Sequence, residues 1–154
     1  MENLETIKNI GFTDGTKVYT RDGYKPIEKL QVGDEVLTHR NRYKKIKNIE
    51  ILMNQIIWKI ATINDKILET TDETLLYTSQ IEEIHYTEAS LKKVEDLTYN
   101  DFLVGPLDKL GNESTNQTRT KITSITNTHT FGTIYSIKVE DDNSYMVEKY
   151  FVHN

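Results

Sequence analysis

Apolar and polar residues alternate over short stretches of this chain, the two-residue period of half-buried strands. Thr16 to Thr20 reads T-K-V-Y-T, Asp22-Gly23 supplies a tight turn, and Lys25-Pro26-Ile27 resumes the alternation. That pattern predicts a strand, a turn and a return strand. Val32-Gly33-Asp34 predicts a second turn leading into Glu35-Val36-Leu37-Thr38. Further strands are predicted over 43–51, 56–62, 66–70, 74–78, 102–104, 121–126, 133–139 and 145–147. Short strands at this spacing suggest a sandwich or barrel. Helical signal is confined to single turns at 27–30 and 90–94.

Composition turns this pattern into a fold class. The chain holds 20 Thr, 17 Ile, 8 Val and 9 Tyr against 2 Ala. β-branched and aromatic residues suit a pleated surface, whereas Ala is the best helix former, so an all-β protein is expected. At 154 residues it has the length of one domain. The net charge of −5 argues against a dedicated nucleic-acid binder. The absence of cysteine excludes disulfides, thiolate metal sites and a thiol nucleophile, with a lean towards the cytosol. No apolar run approaches the roughly 18 residues of a membrane span. The opening MENLETIKNI lacks the apolar core of a signal peptide.

The chain contains an internal echo. Residues 26–37, PIEKLQVGDEVL, and 93–104, KVEDLTYNDFLV, share aliphatic-Glu-x-Leu-x-x-x-Asp-x-apolar-apolar. We read this as a duplicated β unit that cannot bury its face alone. Residues 108–119 form the one clear polar loop, expected at the surface and tolerant of insertion or a break.

Conventional catalytic signatures are sparse. His39, His85, His129 and His153 show no metal-ligand spacing, so neither a metal nor a cofactor is expected. Glu82-Glu83 and Asp141-Asp142 read as solvated turn residues. His39 to Lys45 is basic and holds one aromatic, Tyr43, and reads as a charged hairpin end. The sequence stops at Tyr150-Phe151-Val152-His153-Asn154. An Asn amide nitrogen can attack its own main-chain carbonyl, form a succinimide and break the following peptide bond. A preceding His titrates near working pH and can move the protons.

Gly11 to Thr38 resembles the N-terminal motif of inteins, self-splicing elements with the Hint fold. Thr70 to Thr78 resembles the second intein motif, T-x-x-H followed by apolar residues and Thr. Leu97 to Pro106 is similar to the segment that usually follows. Ile134 to Tyr145 and Tyr150 to Asn154 resemble the two C-terminal motifs. The resemblance covers residues 11–154 in family order. It implies a compact, horseshoe-like all-β domain with pseudo-two-fold symmetry and few helical turns. It also implies autocatalytic splicing: an N-terminal acyl shift, transesterification, and Asn cyclisation that releases the joined flanks. The catalytic positions carried over are Gly11, Thr71, Thr74, Ser136, Asn143, His153 and Asn154.

Several of these depart from the family. Gly11 stands where inteins have a nucleophilic Cys or Ser, so it reads as a block of the first step. Met1 to Ile10 then forms the upstream flank, and residues 11–154 the intein domain. Counting from Thr71 puts Thr74 at the motif histidine; counting from Thr70 would put Glu73 there. Leu75 to Thr78 follow without a gap only in the first register. Ser136 stands where Asp is common, and Asn143 where His is common. A hydroxyl can accept or donate a hydrogen bond but is no base near neutral pH. His153 and Asn154 match the family.

The chain has no room for a homing endonuclease, which would sit near 108–119. Natural split inteins break in that loop, so a fused pair of halves is open. Expected partners are the flanking segments in cis, in a monomer inside an intracellular host protein, with no nucleic acid or membrane. The alternative is a non-catalytic β module binding through the basic hairpin at 40–47. A hedgehog-type domain that only cleaves lacks the terminal His-Asn.

Overall fold

A computed structural model describes residues 9–64, 66–82, 85–107 and 117–154. The expected polar loop lies outside the described residues at 108–116 but is strand from Gln117 on, and residues 1–8 of the expected upstream flank also lie outside the described residues.

The chain folds as two similar β units closed by a hairpin. The first unit comprises β1 (Phe12–Thr13), β2 (Lys17–Thr20), β3 (Gly23–Pro26), a 3₁₀ turn (Ile27–Lys29), β4 (Glu35–Leu37) and β5 (Tyr43–Thr62). The second runs through β6 (Ile67–Thr70), β7 (Leu75–Ser79), a two-strand excursion of β8 (Ile81–Glu82) and β9 (His85–Tyr86), and β10 (Ser90–Lys93). It continues through a 3₁₀ turn (Val94–Asp96), β11 (Phe102–Leu107) and β12 (Gln117–Val139). The hairpin is β13 (Ser144–Val147) and β14 (Tyr150–His153).

Pairings repeat between the units, and every pairing is antiparallel. In the first, β2 pairs with β3 and β4, and β4 with β5. In the second, β7 pairs with β10 and β11, and β11 with β12. The units also exchange strands, β1 onto β12 and β6 onto β5. The hairpin closes the circuit, with β13 on β2 and β14 on β7.

The echoed sequences build the same corner. After the first 3₁₀ turn, the Gln31 N–H donates to the Asp34 carboxylate at 2.9 Å. After the second, the Thr98 N–H donates to the Asp101 carboxylate at 2.8 Å. Each Asp closes its turn with a backbone bond in the other direction, to Gln31 O and Thr98 O. A short acceptor side chain at this offset satisfies a turn that would otherwise bury an orphan N–H.

Three expectations need correction. The strands predicted at 43–51 and 56–62 are one continuous β5, and those at 121–126 and 133–139 are one β12. The breaks in the apolar pattern are bulges, with Asn54 and His129 at positive φ and register shifts between the strands. A bulge moves side chains to the other face without ending the ladder. Residues 90–93 are strand β10, and only Val94–Asp96 turns helically.

The main core gathers Phe12, Ile60, Leu68, Leu76, Leu103, Ile122, Tyr145 and Val152 from both units and the hairpin. Phe12 meets Tyr145 edge-to-face, with centroids 6.4 Å apart. A smaller cluster on the opposite face joins Leu37, Met146 and Phe151 with Tyr19, Tyr43 and Tyr77.

Candidate functional site

The backbone entering β1 is wrapped by three buried threonines at the β6–β7 corner. Thr74 Oγ1 accepts the Gly11 N–H at 3.1 Å. Thr70 Oγ1 donates to the Gly11 carbonyl at 2.5 Å. Thr71 Oγ1 donates to the Asn9 carbonyl, and the Asn9 N–H reaches Glu73 at 3.4 Å. Thr74 Oγ1 also lies 2.8 Å from Thr70 Oγ1 and 3.0 Å from Thr71 Oγ1. The proton count closes. Thr70 and Thr71 spend their protons on carbonyls, which leaves the Thr74 proton to the Gly11 carbonyl at 3.4 Å or to a neighbouring hydroxyl oxygen. Thr74 thus holds the nitrogen of the Ile10–Gly11 peptide.

Gly11 is pressed against the second unit. A Cβ built on it would stand 2.4 Å from the Tyr135 carbonyl oxygen and 3.2 Å from the Ser136 nitrogen. The next residue, Phe12, pairs with Tyr135. Buried Ser136 therefore lies beside Gly11 through its backbone. The position admits no side chain without movement of the 135–136 strand.

The chain end docks beside the same elements. His153 pairs with Leu75, the residue after Thr74, and with Ser144 across the hairpin. The Asn154 N–H donates to Asn143 O at 3.0 Å. With the side-chain amide oriented so that both its atoms are paired, Nδ2 donates to Asn143 O at 3.3 Å and Oδ1 accepts the Val139 N–H at 2.5 Å. Asn143 has a φ of 53°, which an Asn tolerates, and this region turns its carbonyl into the shared acceptor. Gly11 and His153 are therefore held by consecutive residues, Thr74 and Leu75, whose Cα atoms are about 3.8 Å apart.

A Hint domain family model matches residues 10–56. The gp41-1 intein superposes with a TM-score of 0.71 at 19% identity, over 96% of this chain and 100% of that one. A DnaB intein from Synechocystis sp. PCC 6803 gives 0.75 at 13% identity, covering 94% and 97% of the two chains. A bacterial intein-like domain from Clostridium thermocellum gives 0.67 at 18%, covering 94% and 98%. No curated protein matches the chain in sequence.

The chain has the Hint fold.

Within this fold the structure brings Gly11, Thr71 and Thr74 together, and His153, Asn154 and Asn143 together, with Ser136 against the Gly11 backbone. Asn143 takes part through its carbonyl. Thr70 was not picked out from the sequence, although it binds the Gly11 carbonyl; its position one residue before the T-x-x-H register was the available signal.

Asp142 overturns its expectation as a solvated turn residue, whereas Asp141 is an exposed one. Asp142 is buried, receives Arg42 through two bonds at 2.9 and 2.5 Å, and accepts the Thr38 hydroxyl at 2.5 Å. The Arg42 guanidinium holds this carboxyl well below the usual carboxylate range, against the opposing effect of burial. Lys44 pairs with Asp141 at 2.9 Å. The basic hairpin end thus spends Arg42 and Lys44 on the turn that precedes the C-terminal hairpin. His39 belongs to the same stretch: its ring stacks on Tyr77 with centroids 5.0 Å apart, and its Nδ1 lies 2.6 Å from Ser144 Oγ. Burial pushes the His39 imidazole below its ordinary value, with Asp142 opposing and Arg40, His153 and Arg42 adding to the shift. Among the described residues, no three His, Asp or Glu side chains gather as a metal site.

Proposed function

We propose that this Hint domain is an intein that keeps the Asn-cyclisation half of splicing and is closed at the N-terminal acyl shift by Gly11. The observation that carries the reading is the docking of Gly11 and His153 on consecutive residues, Thr74 in the β6–β7 corner and Leu75 at the start of β7. Asn154 Nδ2 attacks the Asn154 main-chain carbonyl carbon. The Nδ2–C bond forms, the C–N bond to the following residue breaks, and one Nδ2 proton passes to the leaving amine. Oδ1 on the Val139 N–H and Nδ2 on Asn143 O orient the amide. His153, whose imidazole can accept and return a proton, moves the proton.

On the N-side the threonine hydroxyls hold the Ile10–Gly11 peptide but supply no base, and Gly11 supplies no nucleophile. Residues 1–10 act as the upstream flank and 11–154 as the splicing domain, a monomer working in cis within an intracellular host protein. Restoring the full reaction takes a Ser or Cys at position 11, a nucleophile after Asn154, and room beside Tyr135.

The test appends a flanking segment after Asn154 and follows the product by mass spectrometry. Release of that segment, with the remaining chain lighter by one water, is expected, with the upstream flank retained. An intact precursor, or equal release from Asn154→Ala, refutes the reading.

A further inference from the structure

We propose that His39 is a positioning residue for His153, acting through Ser144, so that the charge on His39 governs the C-terminal cleavage step. The inference rests on the Asn154 cyclisation proposed above.

Ser144 is held twice by one residue. Its Oγ accepts the His39 backbone N–H at 3.0 Å and lies 2.6 Å from the His39 ring Nδ1. Oγ accepts from the backbone and can give its own proton to Nδ1, the arrangement in which the neutral ring carries its proton on Nε2. Ser144 is the residue directly opposite His153 in the β13–β14 hairpin. Directly opposed residues point to the same face of a sheet. Leu75 opposes His153 on the other side, and Tyr77, two residues further along β7, lies on the same face. The His39 ring stacks on Tyr77, with 23° between the planes. His39 is thus bound to both strands that flank His153.

The hairpin end around His39 has little freedom. Thr38 and Arg42 clamp Asp142, and Arg40 lies 3.8 Å from the same carboxylate. Asp142 adjoins Asn143, whose carbonyl receives both Asn154 donors. The groups facing His39 are therefore Asp142, which favours its charged form, Arg40, Arg42 and His153, which oppose it, and Tyr77 beneath the ring. Protonating His39 converts Nδ1 from acceptor to donor. The Ser144 hydroxyl must then turn around, and a positive charge appears beside His153, which resists a second one.

The experiment uses the chain extended beyond Asn154, with His39→Asn, His39→Ala and Ser144→Ala. Asn keeps a polar atom near the place of Nδ1 but cannot be charged. Cleavage rates are measured between pH 5 and 8, and the His153 ring is titrated by NMR in each variant. His39→Ala and Ser144→Ala are expected to cleave about two- to tenfold more slowly, the loss of one hydrogen bond. His39→Asn is expected to recover most of that rate while shifting the acid limb of the profile and the His153 titration midpoint to higher pH. Superimposable profiles and midpoints in His39→Asn and the unaltered chain overturn the proposal. A biphasic His153 titration in the unaltered chain supports it even where a variant misfolds. If the unaltered chain does not cleave, cyclisation fails as the function, while the NMR titration still decides the coupling.

Discussion

Gly11 offers the sharpest test of how the two halves meet. Its φ lies outside the left-handed region occupied by Gly15, Gly23 and Gly33, so no backbone preference demands glycine there. The demand is steric. A methyl group at position 11 would sit 2.4 Å from the Tyr135 carbonyl oxygen and 2.8 Å from its carbon, where ordinary contact begins at 3.4 Å. The β1 and β12 backbones must part by about 1 Å, next to the fully buried Phe12. Overpacking of this kind costs about 1–3 kcal/mol. Restricting the unfolded chain by Gly→Ala returns about 0.4–1 kcal/mol. Gly11→Ala is therefore expected to lose up to about 2.6 kcal/mol, read as a lower urea midpoint by Trp58 fluorescence at unchanged slope. Gly15→Ala, with a φ of +84° and nothing within 4 Å, is the control: it strains the backbone but leaves Tyr135 and Ser136 amide shifts in place. Gly11→Ala at or above the unaltered stability would refute the close approach. Gly11→Ser should lose similar stability, and hydroxylamine trapping of its upstream ester should lag cleavage after Asn154.

Other expectations follow from the same contacts. Thr74→Val leaves the Gly11 N–H buried and unpaired, at a cost of about 1–3 kcal/mol in urea unfolding, and Thr74→Ser recovers most of it. Arg42→Ala strips Asp142 of its bidentate partner and lowers the urea midpoint at neutral pH. Because the folded-state Asp142 carboxyl titrates below its unfolded value, the stability it contributes is present above about pH 4 and lost as pH falls. The gap between Arg42→Ala and the unaltered chain should therefore narrow in acid. Asp101→Ala should cost about 2–3 kcal/mol, since it abandons Lys92 and Gln80 as well as the turn, whereas the equivalent Asp34→Ala should cost no more than about 1 kcal/mol.

What the sequence revealed was local or repeated. The Asp22-Gly23 turn could be read because Gly23 takes a φ of 98° that few residues adopt. The echo at 26–37 and 93–104 could be read because both copies close the same turn with the same Asp. The threonines at 71 and 74 were found through motif spacing. What stayed hidden depends on distant partners. Asp142 looks like a solvated turn residue until Arg42, 100 residues earlier, folds onto it. Asn54 and His129 look like strand ends because a bulge and a turn use the same residue types. Gly11 looks like a lost nucleophile from sequence alone. Only the strand exchange of β1 onto β12 shows that it is also a contact point with no space for a side chain.

The repeat explains why Gly11 and His153 meet at one corner. In a pair of equivalent units, β2 and β7 occupy the same place, and each receives one arm of the final hairpin, β13 on β2 and β14 on β7. The last strand of the hairpin thus necessarily runs beside β7. The first strand, β1, is exchanged onto β12 and also pairs with β6 at Thr70. Since β6 leads into β7 through Thr71 to Thr74, the corner that receives β1 is the corner beside which β14 ends. The corner and the strand it opens then serve both, with the hydroxyls of Thr70, Thr71 and Thr74 for the entering backbone and Leu75 at the start of β7 as the ladder position for His153. Among the described residues, the equivalent corner of the first unit, 13–16, receives neither: Thr16 N–H bonds Thr13 O, and the Gly15 N–H is taken by Glu28 at the surface. Symmetry in the strand pairing and asymmetry in what the corners hold are together what turn a repeated β unit into a single site.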